Sequence, residues 1–365
     1  MSKLGGTTET VVENLSGQLT RREESEVLLY REASGRTVCV TGANGFIASW
    51  LVAQLLDQGY TVRGTVRSPE NEDKNGHLWK LKGADQRLKL YKADILDYEA
   101  LAGVVAGCEG VFHVASPTVP DSDDHQKEMV DCAVAGVVNC LEACAAAGVK
   151  RVILMSSILA CMYNRGQDAS KVPDENDWAD AEFFKERGSD PKTFNEVGAW
   201  YTVGKIMAER KAWEIAERTG LDVISILPAM CYGPNLQKEV SPSNITMLPL
   251  FHGSYIPLMF CYGGPVDVRD VAAAMILLYE TPSASGRYIC AESYAPLSDV
   301  MNLVAQLYPR HNIPQIENTQ PWLARCKSPS KRLEALGFKF RPSSEGIIAA
   351  LQEFEERGLI PKLDS

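Results

Sequence analysis

One stretch limits the folds open to this chain more than any other. Val38-Cys-Val-Thr-Gly42-Ala-Asn44-Gly45-Phe46-Ile47-Ala48 reads as an apolar strand that turns on two glycines into a helix. A backbone turning so tightly can approach a pyrophosphate, and the N–H groups that open the helix are directed at it. The context that separates such a loop from an ordinary glycine turn, a strand before and an amphipathic helix after, is met on both sides. Gly42, Asn44, Gly45, Phe46 and Ile47 are therefore candidate phosphate-binding residues. Ala48 stands where a third glycine is usual and is still small enough for close helix–sheet packing.

From Thr37 onward strand and helix signals alternate. Apolar runs at Thr37–Thr41, Thr61–Val66, Arg87–Tyr91, Gly110–Val114, Arg151–Ser156 and Asp222–Leu227 are interleaved with helical patterns at Gly45–Gln58, Tyr98–Val105, Gln126–Ala147 and Tyr201–Thr219. This spacing predicts right-handed βαβ units and an α/β fold, a Rossmann-type doubly wound parallel sheet. Beyond Pro228 come a helix at Val268–Glu280, a short strand at Arg287–Cys290, and helices near Ser298–Leu307 and Glu345–Arg357, too few for a second full sheet. We expect a flexible tail over 1–34 with a short helix near Glu26–Glu32, and a dinucleotide-binding domain over 35–230 that carries the catalytic residues. A smaller C-terminal substrate lobe over 231–365 would follow, some of its elements returning to pack on the first domain. Substrate would enter the crevice between them.

The second strand leads into Arg63-Gly-Thr-Val-Arg67-Ser-Pro, with Lys74 a little further on and no carboxylate at the strand end. A carboxylate there would bind a ribose 2′-hydroxyl, whereas cations accommodate a 2′-phosphate. NADP(H) is the expected cofactor, with Arg67 and Lys74 as its clamps. Asp94-Ile95 follows the third strand, toward the adenine, and Val114-Ala115-Ser116 follows the fourth, beside the middle of the cofactor. Pro228, Met230 and Ser243 complete the candidate cofactor set.

Tyr201 and Lys205 are four apart, so a helix places phenol and ammonium side by side. A cation near a phenol favours its ionised form, which predicts a phenol pKa drawn toward the working pH. Ser157, after the fifth strand, is placed to hydrogen-bond a carbonyl oxygen. Singly these are a capping serine, a packed ring and a wet lysine. Together, downstream of a dinucleotide loop, they indicate hydride transfer to a carbonyl with Tyr201 as proton donor. Ser116, Met162, Tyr163 and Met230 are the candidate substrate contacts.

The 365-residue chain has a net charge of −10 and no basic run longer than two residues, which argues against nucleic acid as a partner. No apolar stretch reads as a membrane span. The ten cysteines are scattered without a Cys-x-x-Cys pair and read as buried free thiols of a reducing compartment, so no metal site is expected. Residues 1–34 lack the apolar core of a secretory signal and hold six acidic residues, unlike a transit peptide. A cytoplasmic monomer or homodimer acting on a small molecule is the expectation.

Further segments fill out the pattern: Gly59-Tyr-Thr-Val-Arg-Gly-Thr-Val-Arg67, Lys92-Ala-Asp-Ile-Leu-Asp-Tyr98, Val111-Phe-His-Val-Ala-Ser-Pro117, Val268-Arg-Asp-Val271 and Thr281-Pro-Ser-Ala-Ser-Gly-Arg-Tyr288. With the glycine loop and the Tyr201–Lys205 pair, they resemble the extended short-chain dehydrogenase/reductases. More narrowly, they resemble the plant branch of cinnamoyl-CoA and dihydroflavonol reductases. The likeness runs from Thr37 to about Pro361. It implies a Rossmann domain, NADPH, and a Ser–Tyr–Lys triad that falls on Ser157, Tyr201 and Lys205, with the lysine also holding the nicotinamide ribose. Ala48, Gly64-Thr-Val-Arg67 and Ser157-Ile158 are nearer the cinnamoyl-CoA reductases, which usually carry cysteine and tyrosine where Thr202 and Val203 stand here.

The expected activity is therefore NADPH-dependent reduction of a hydroxycinnamoyl-CoA thioester or a related phenylpropanoid aldehyde or ketone. A reductase of flavonoids or small ketones, a non-catalytic NADPH-binding scaffold and a nucleotide-sugar epimerase are the alternatives. A CoA ester carries phosphates, so cations are expected at the mouth, with Lys238, His252, Arg269 and Arg287 as candidates. The polar segment Asn164–Gly198 is expected to line that mouth.

Overall fold

The computed structural model describes residues 35–117, 124–165, 171–188, 196–254, 264–295, 297–315, 326 and 329–362. The expected N-terminal tail with its short helix, part of the Asn164–Gly198 segment, and Cys261 lie outside these.

The strands are β1 (Thr37–Val40), β2 (Thr61–Val66), β3 (Leu88–Lys92), β4 (Gly110–His113), β5 (Arg151–Met155), β6 (Val223–Pro228), β7 (Met230–Tyr232), β8 (Pro265–Asp267) and β9 (Gly286–Cys290). The helices of the first half are α1 (Phe46–Asp57), α2 (Glu72–Trp79), α3 (Ala84–Arg87), α4 (Tyr98–Val105) and α5 (Cys132–Ala147). Then come α6 (Ala181–Gly188), α7 (Glu196–Thr219), α8 (Pro242–Ile245), α9 (Val268–Glu280), α10 (Leu297–Leu307), α11 (Lys331–Ala335) and α12 (Ser343–Glu356).

Seven strands make one parallel sheet in the order β3-β2-β1-β4-β5-β6-β9. The alternation of side chains along each strand feeds two cores. Val38, Val40, Phe112, Ile153 and Ile224 pack with Leu51, Leu55, Val271 and Met275, which belong to α1 and α9. Cys39, Val111, Val152 and Val223 pack on the other face with Leu101, Leu141, Ala212 and Ile215, which belong to α4, α5 and α7. Cover on both faces explains why β6 is buried along its whole length. The order reverses between β1 and β4, and the chain exits toward opposite sides of that point. Open parallel sheets bind their ligands at such a reversal.

The short strand read among the C-terminal pieces is β9, the seventh strand of this sheet, and α9 packs on α1 rather than in the lobe. The lobe has its own core, in which Tyr232, Met247 and Leu250 meet Met301 and Val304 of α10 and Ile347, Leu351 and Phe354 of α12. The parallel pair β7–β8 forms its stem.

One expectation is corrected here. The helical run Gln126–Ala147, whose first six residues are π-helical and whose remainder is α5, is long and apolar enough by length and composition to cross a membrane. Half of its apolar window is buried inside the fold, where it packs as a core helix between α4 and α7.

Candidate active site

All sheet strands run parallel, so the segments that follow β1 to β6 leave from one edge. The glycine loop, Arg67, Asp94-Ile95, Val114–Ser116, Ser157 and Met230 are thereby gathered along it. Gly42 has φ +64°, and a Cβ there would lie 3.0 Å from the Ala115 Cβ. Conformation and the closeness of the β4 segment both require a glycine. Thr41 Oγ1 locks that approach by accepting from the backbone N–H groups of Val114, at 3.0 Å, and Ala115, at 3.1 Å.

Gly45 caps α1 without any side-chain hydrogen bond, and no acidic residue occupies the first turn. The positive end of α1 is therefore kept for an anion by its own residues, and the loop fits a dinucleotide pyrophosphate. Asn44 Nδ2 donates to Asn75 Oδ1 at 3.0 Å, and Asn75 Nδ2 donates to the carbonyls of Ser68, at 2.7 Å, and Pro69. Buried Asn75 thus ties the phosphate loop to the segment that carries Arg67. Sequence reasoning passed over it, because an asparagine inside a polar helix gives no pattern. Arg67 and Lys74 are both exposed, the latter in the first turn of α2.

The other cofactor candidates are placed as follows. Asp94 is exposed and accepts from the Leu96 N–H, while the Ile95 carbonyl accepts from Asn139 Nδ2. Pro228 is buried at the end of β6, Met230 is half-buried in β7, and Ser243 lies half-buried in the lobe on α8.

The three candidate catalytic residues meet where β5 ends against α7. Ser157 opens a 3₁₀ turn, Ile158–Ala160, and accepts from the Leu159 N–H at 3.3 Å. Burial pushes the Tyr201 phenol well above its ordinary pKa, the nearby Cys231 adds to this, and the Ser157 hydroxyl works the other way. Lys205 is buried, its Nζ donates to the Met155 carbonyl at 3.0 Å, and it lies 5.7 Å from the Tyr201 ring centroid. Burial lowers its pKa to about 8, while the charge of Glu209 opposes the fall.

The expectation of a phenol pKa drawn toward the working pH is therefore corrected: desolvation outweighs the support that Lys205 gives to the ionised form. The ammonium is turned to the ring and the Met155 carbonyl, and desolvation governs the phenol. The consequence is a phenol held protonated, as a proton donor must be.

Behind Lys205 lies a buried network that sequence reasoning also missed. Glu209 Oε2 accepts from Ser156 Oγ at 2.6 Å, and its carboxylate accepts from Arg287 Nε at 2.8 Å and Nη2 at 3.2 Å. Arg287 also donates to the carbonyls of Ala160, Glu175 and Asp177, and its guanidinium sits 3.9 Å from the Trp178 ring centroid. Helical spacing offered a signal for Glu209, four residues after Lys205 and eight after Tyr201. None existed for Arg287, 78 residues away.

Several substrate-side readings change. Met162 is fully buried in the main core and presents no surface to a substrate. Arg287, read as a mouth cation, is buried and paired with Glu209. Arg269 is paired with Asp267, Lys238 forms an exposed pair with Asp73, and His252 is exposed. Tyr163 is half-buried, stacks edge-on against Phe184 and holds a left-handed φ of +67°. Thr202 and Val203 are both fully buried, so the departure from the usual cysteine–tyrosine pair falls on packing. Ser116 is half-buried beside a small cavity shared with His113, Ser156, Lys205 and Glu209. The nine described cysteines are free thiols, and no cluster suited to a metal occurs among the described residues.

A protonated phenol beside a buried lysine, at the edge where a parallel sheet takes its nucleotide, is the working end of a short-chain NADPH-dependent oxidoreductase. The chain belongs to the NAD dependent epimerase/dehydratase family, which matches residues 38–291. It is 44% identical over 333 residues to cinnamoyl-CoA reductase 1 of Petunia hybrida, covering 91% of this chain and 96% of that one. Among solved structures it is similar to vestitone reductase of alfalfa, with a TM-score of 0.71, 30% identity, and coverage of 89% of this chain and 99% of that one. It is also similar to yeast methylglyoxal/isovaleraldehyde reductase Gre2 in complex with NADPH, with a TM-score of 0.74, 28% identity, and coverage of 89% and 100%.

Proposed function

We propose that this reductase takes a hydroxycinnamoyl-CoA thioester to the corresponding aldehyde and free CoA. Gly42–Ile47 would hold the cofactor's pyrophosphate, Arg67 and Lys74 its 2′-phosphate, and Lys205 its nicotinamide ribose. When bound, NADPH supplies the hydride. Tyr201 gives its proton to the carbonyl oxygen, and Ser157 hydrogen-bonds that oxygen as negative charge grows on it. Lys205 lies close enough to the ring to stabilise the phenolate left behind. In the tetrahedral hemithioacetal the C–S bond then breaks as C=O forms, and the departing thiolate takes the proton released by the hydroxyl, leaving aldehyde and free CoA thiol.

The observation that carries the reaction is the convergence of Ser157, Tyr201 and Lys205 where β5 ends against α7, with the Lys205 ammonium held by the Met155 carbonyl beside the Tyr201 ring. The choice of a thioester is supported by the 44% identity to a cinnamoyl-CoA reductase across nearly the whole of both chains. The burial of Thr202 and Val203 removes an objection to it. The test is NADPH oxidation with a hydroxycinnamoyl-CoA and with the matching free aldehyde, compared as kcat/KM. A ratio above one is expected. A ratio well below one would leave an aldehyde or ketone reductase.

A further inference from the structure

Ser156, Glu209 and Arg287 meet behind the catalytic residues, and all three are buried. Ser156 adjoins Ser157 at the end of β5. Glu209 lies one helical turn beyond Lys205 on α7. Arg287 comes from β9 and fastens the 3₁₀ turn after Ser157, through Ala160, to the segment 175–178. The Glu209 carboxylate accepts from both neighbours, and it is the common member of the set.

We propose that Glu209 is a positioning residue for the reductase: its carboxylate keeps Lys205 in the charged form that Tyr201 needs. The proposal rests on the reductase reading above. A buried carboxylate could belong to a structural ion pair alone, and then its charge would not matter to the lysine. The geometry argues otherwise. Lys205, Glu209, Ser156, His113 and Ser116 line one small cavity, so carboxylate and ammonium share a setting poor in solvent.

Other groups around Lys205 do not replace Glu209. Tyr201, on the same helix, is neutral, and Arg287 from β9 is a cation. His113 of β4 has its Nδ1 engaged by Thr41 Oγ1 at 3.1 Å. That hydroxyl also accepts the backbone N–H groups of Val114 and Ala115, so His113 is fixed to the β1 segment. Lys127, Glu128 and Asp131 of the π-helical segment retain exposure to solvent, where their charges are screened. Helix α5 contributes Ala133 and Val137 to the cavity, and Met155 of β5 contributes a carbonyl. Glu209 is thus the one carboxylate among the described residues that line this cavity, and the buried thiol of Cys140 on α5 lies beyond His113 rather than on its wall.

The pH dependence of turnover tests this. Deprotonation of Lys205 ends its support of the phenolate, so kcat should fall above a pH near 8, the value to which burial brings this lysine. Glu209→Gln keeps the shape and removes the charge. The alkaline limb of kcat should move down by about one pH unit, a drop of roughly tenfold on that side. Glu209→Asp, which restores the charge one methylene away, should move the limb by less than half as much. It also supplies the test if the glutamine variant does not fold.

A second readout needs no turnover. Near pH 6 both proteins must bury a charged lysine, and the variant lacks the carboxylate, so its Tm deficit is full. As pH rises the variant's lysine sheds its proton first, so the gap in Tm should narrow toward pH 8. A limb at the wild-type pH together with a Tm gap constant from pH 6 to 9 would show Glu209 to be merely structural. If wild-type protein oxidised NADPH with no carbonyl compound, the reductase reading would fall while the Tm gap still decided this proposal.

Discussion

In the proposed reaction Tyr201 is the proton donor, and burial keeps its phenol in the protonated form until the proton is passed on. Tyr201→Phe keeps the ring and removes the proton, so we expect kcat to fall by roughly 10²–10⁴-fold with NADPH affinity nearly unchanged. Steady-state kinetics with a fluorescence titration of NADPH separates the two effects, and a loss below tenfold would assign the proton to another group. Ser157, Tyr201 and Lys205 were legible because strand-end position and a four-residue helical spacing are local properties. What surrounds them was not. Whether a lysine faces an oxygen or a ring depends on how deeply its helix sits against the sheet, and the Met155 carbonyl that captures Lys205 is 50 residues away. Met162 misled for a related reason. It lies just past a 3₁₀ turn and before a residue of left-handed φ, and those two local features turn it into the core.

At the scale of elements, the site depends on how closely α7 meets the π-helical segment Gln126–Asp131. Gly204 makes that approach possible, since a Cβ there would lie 2.5 Å from the Met129 carbonyl oxygen. Backbone cannot yield as a flexible side chain does, so Gly204→Ala should push the two elements apart. Such overpacking costs about 1–3 kcal/mol. It would also displace Tyr201 and Lys205, which flank residue 204, and a shift of about 1 Å can cost about 10²-fold in rate. A thermal melt and kcat measured on the same preparation should both drop, kcat by tenfold or more. An unchanged kcat with a lowered Tm would show that the helix tolerates the shift. The seven strands of the main sheet and most helices were legible as apolar runs and helical patterns, whereas the short β7 and β8 were not. The π-helical start of the Gln126–Ala147 run was not, because an apolar pattern of that length fits either winding and contact with α7 selects between them.

For the whole molecule, residues after Pro228 join the main core through Cys231, Val266, Tyr294 and Leu333, and a buried ion pair adds to that packing. Asp270 of α9 is buried and pairs with Arg341, just before α12, accepting from its backbone N–H at 2.6 Å as well as from its side chain. Burial raises the Asp270 carboxyl to about pH 6, with Arg341 opposing. Removing one partner of a buried pair leaves an uncompensated charge, so Arg341→Ala should cost about 3 kcal/mol near neutrality. The variant's carboxyl holds its proton to higher pH, so the deficit should grow as pH rises through 6 and shrink below it. Chemical denaturation at pH 5 and pH 7.5 checks the sign, and equal deficits at both would show that the pair carries no linkage. The sheet's first six strands could be read from the chain, but the return of β9 to the sheet edge is a long-range pairing that no local pattern encodes. That return has a consequence in time. During synthesis Glu209 emerges 78 residues before Arg287. At about 5–20 residues per second, several seconds pass between them. Throughout that interval the helix bearing Tyr201 and Lys205 owns a carboxylate meant for the interior and lacks the arginine that allows it there. The growing chain can lay down most of its sheet beforehand, but its catalytic end is completed only when the last strand arrives.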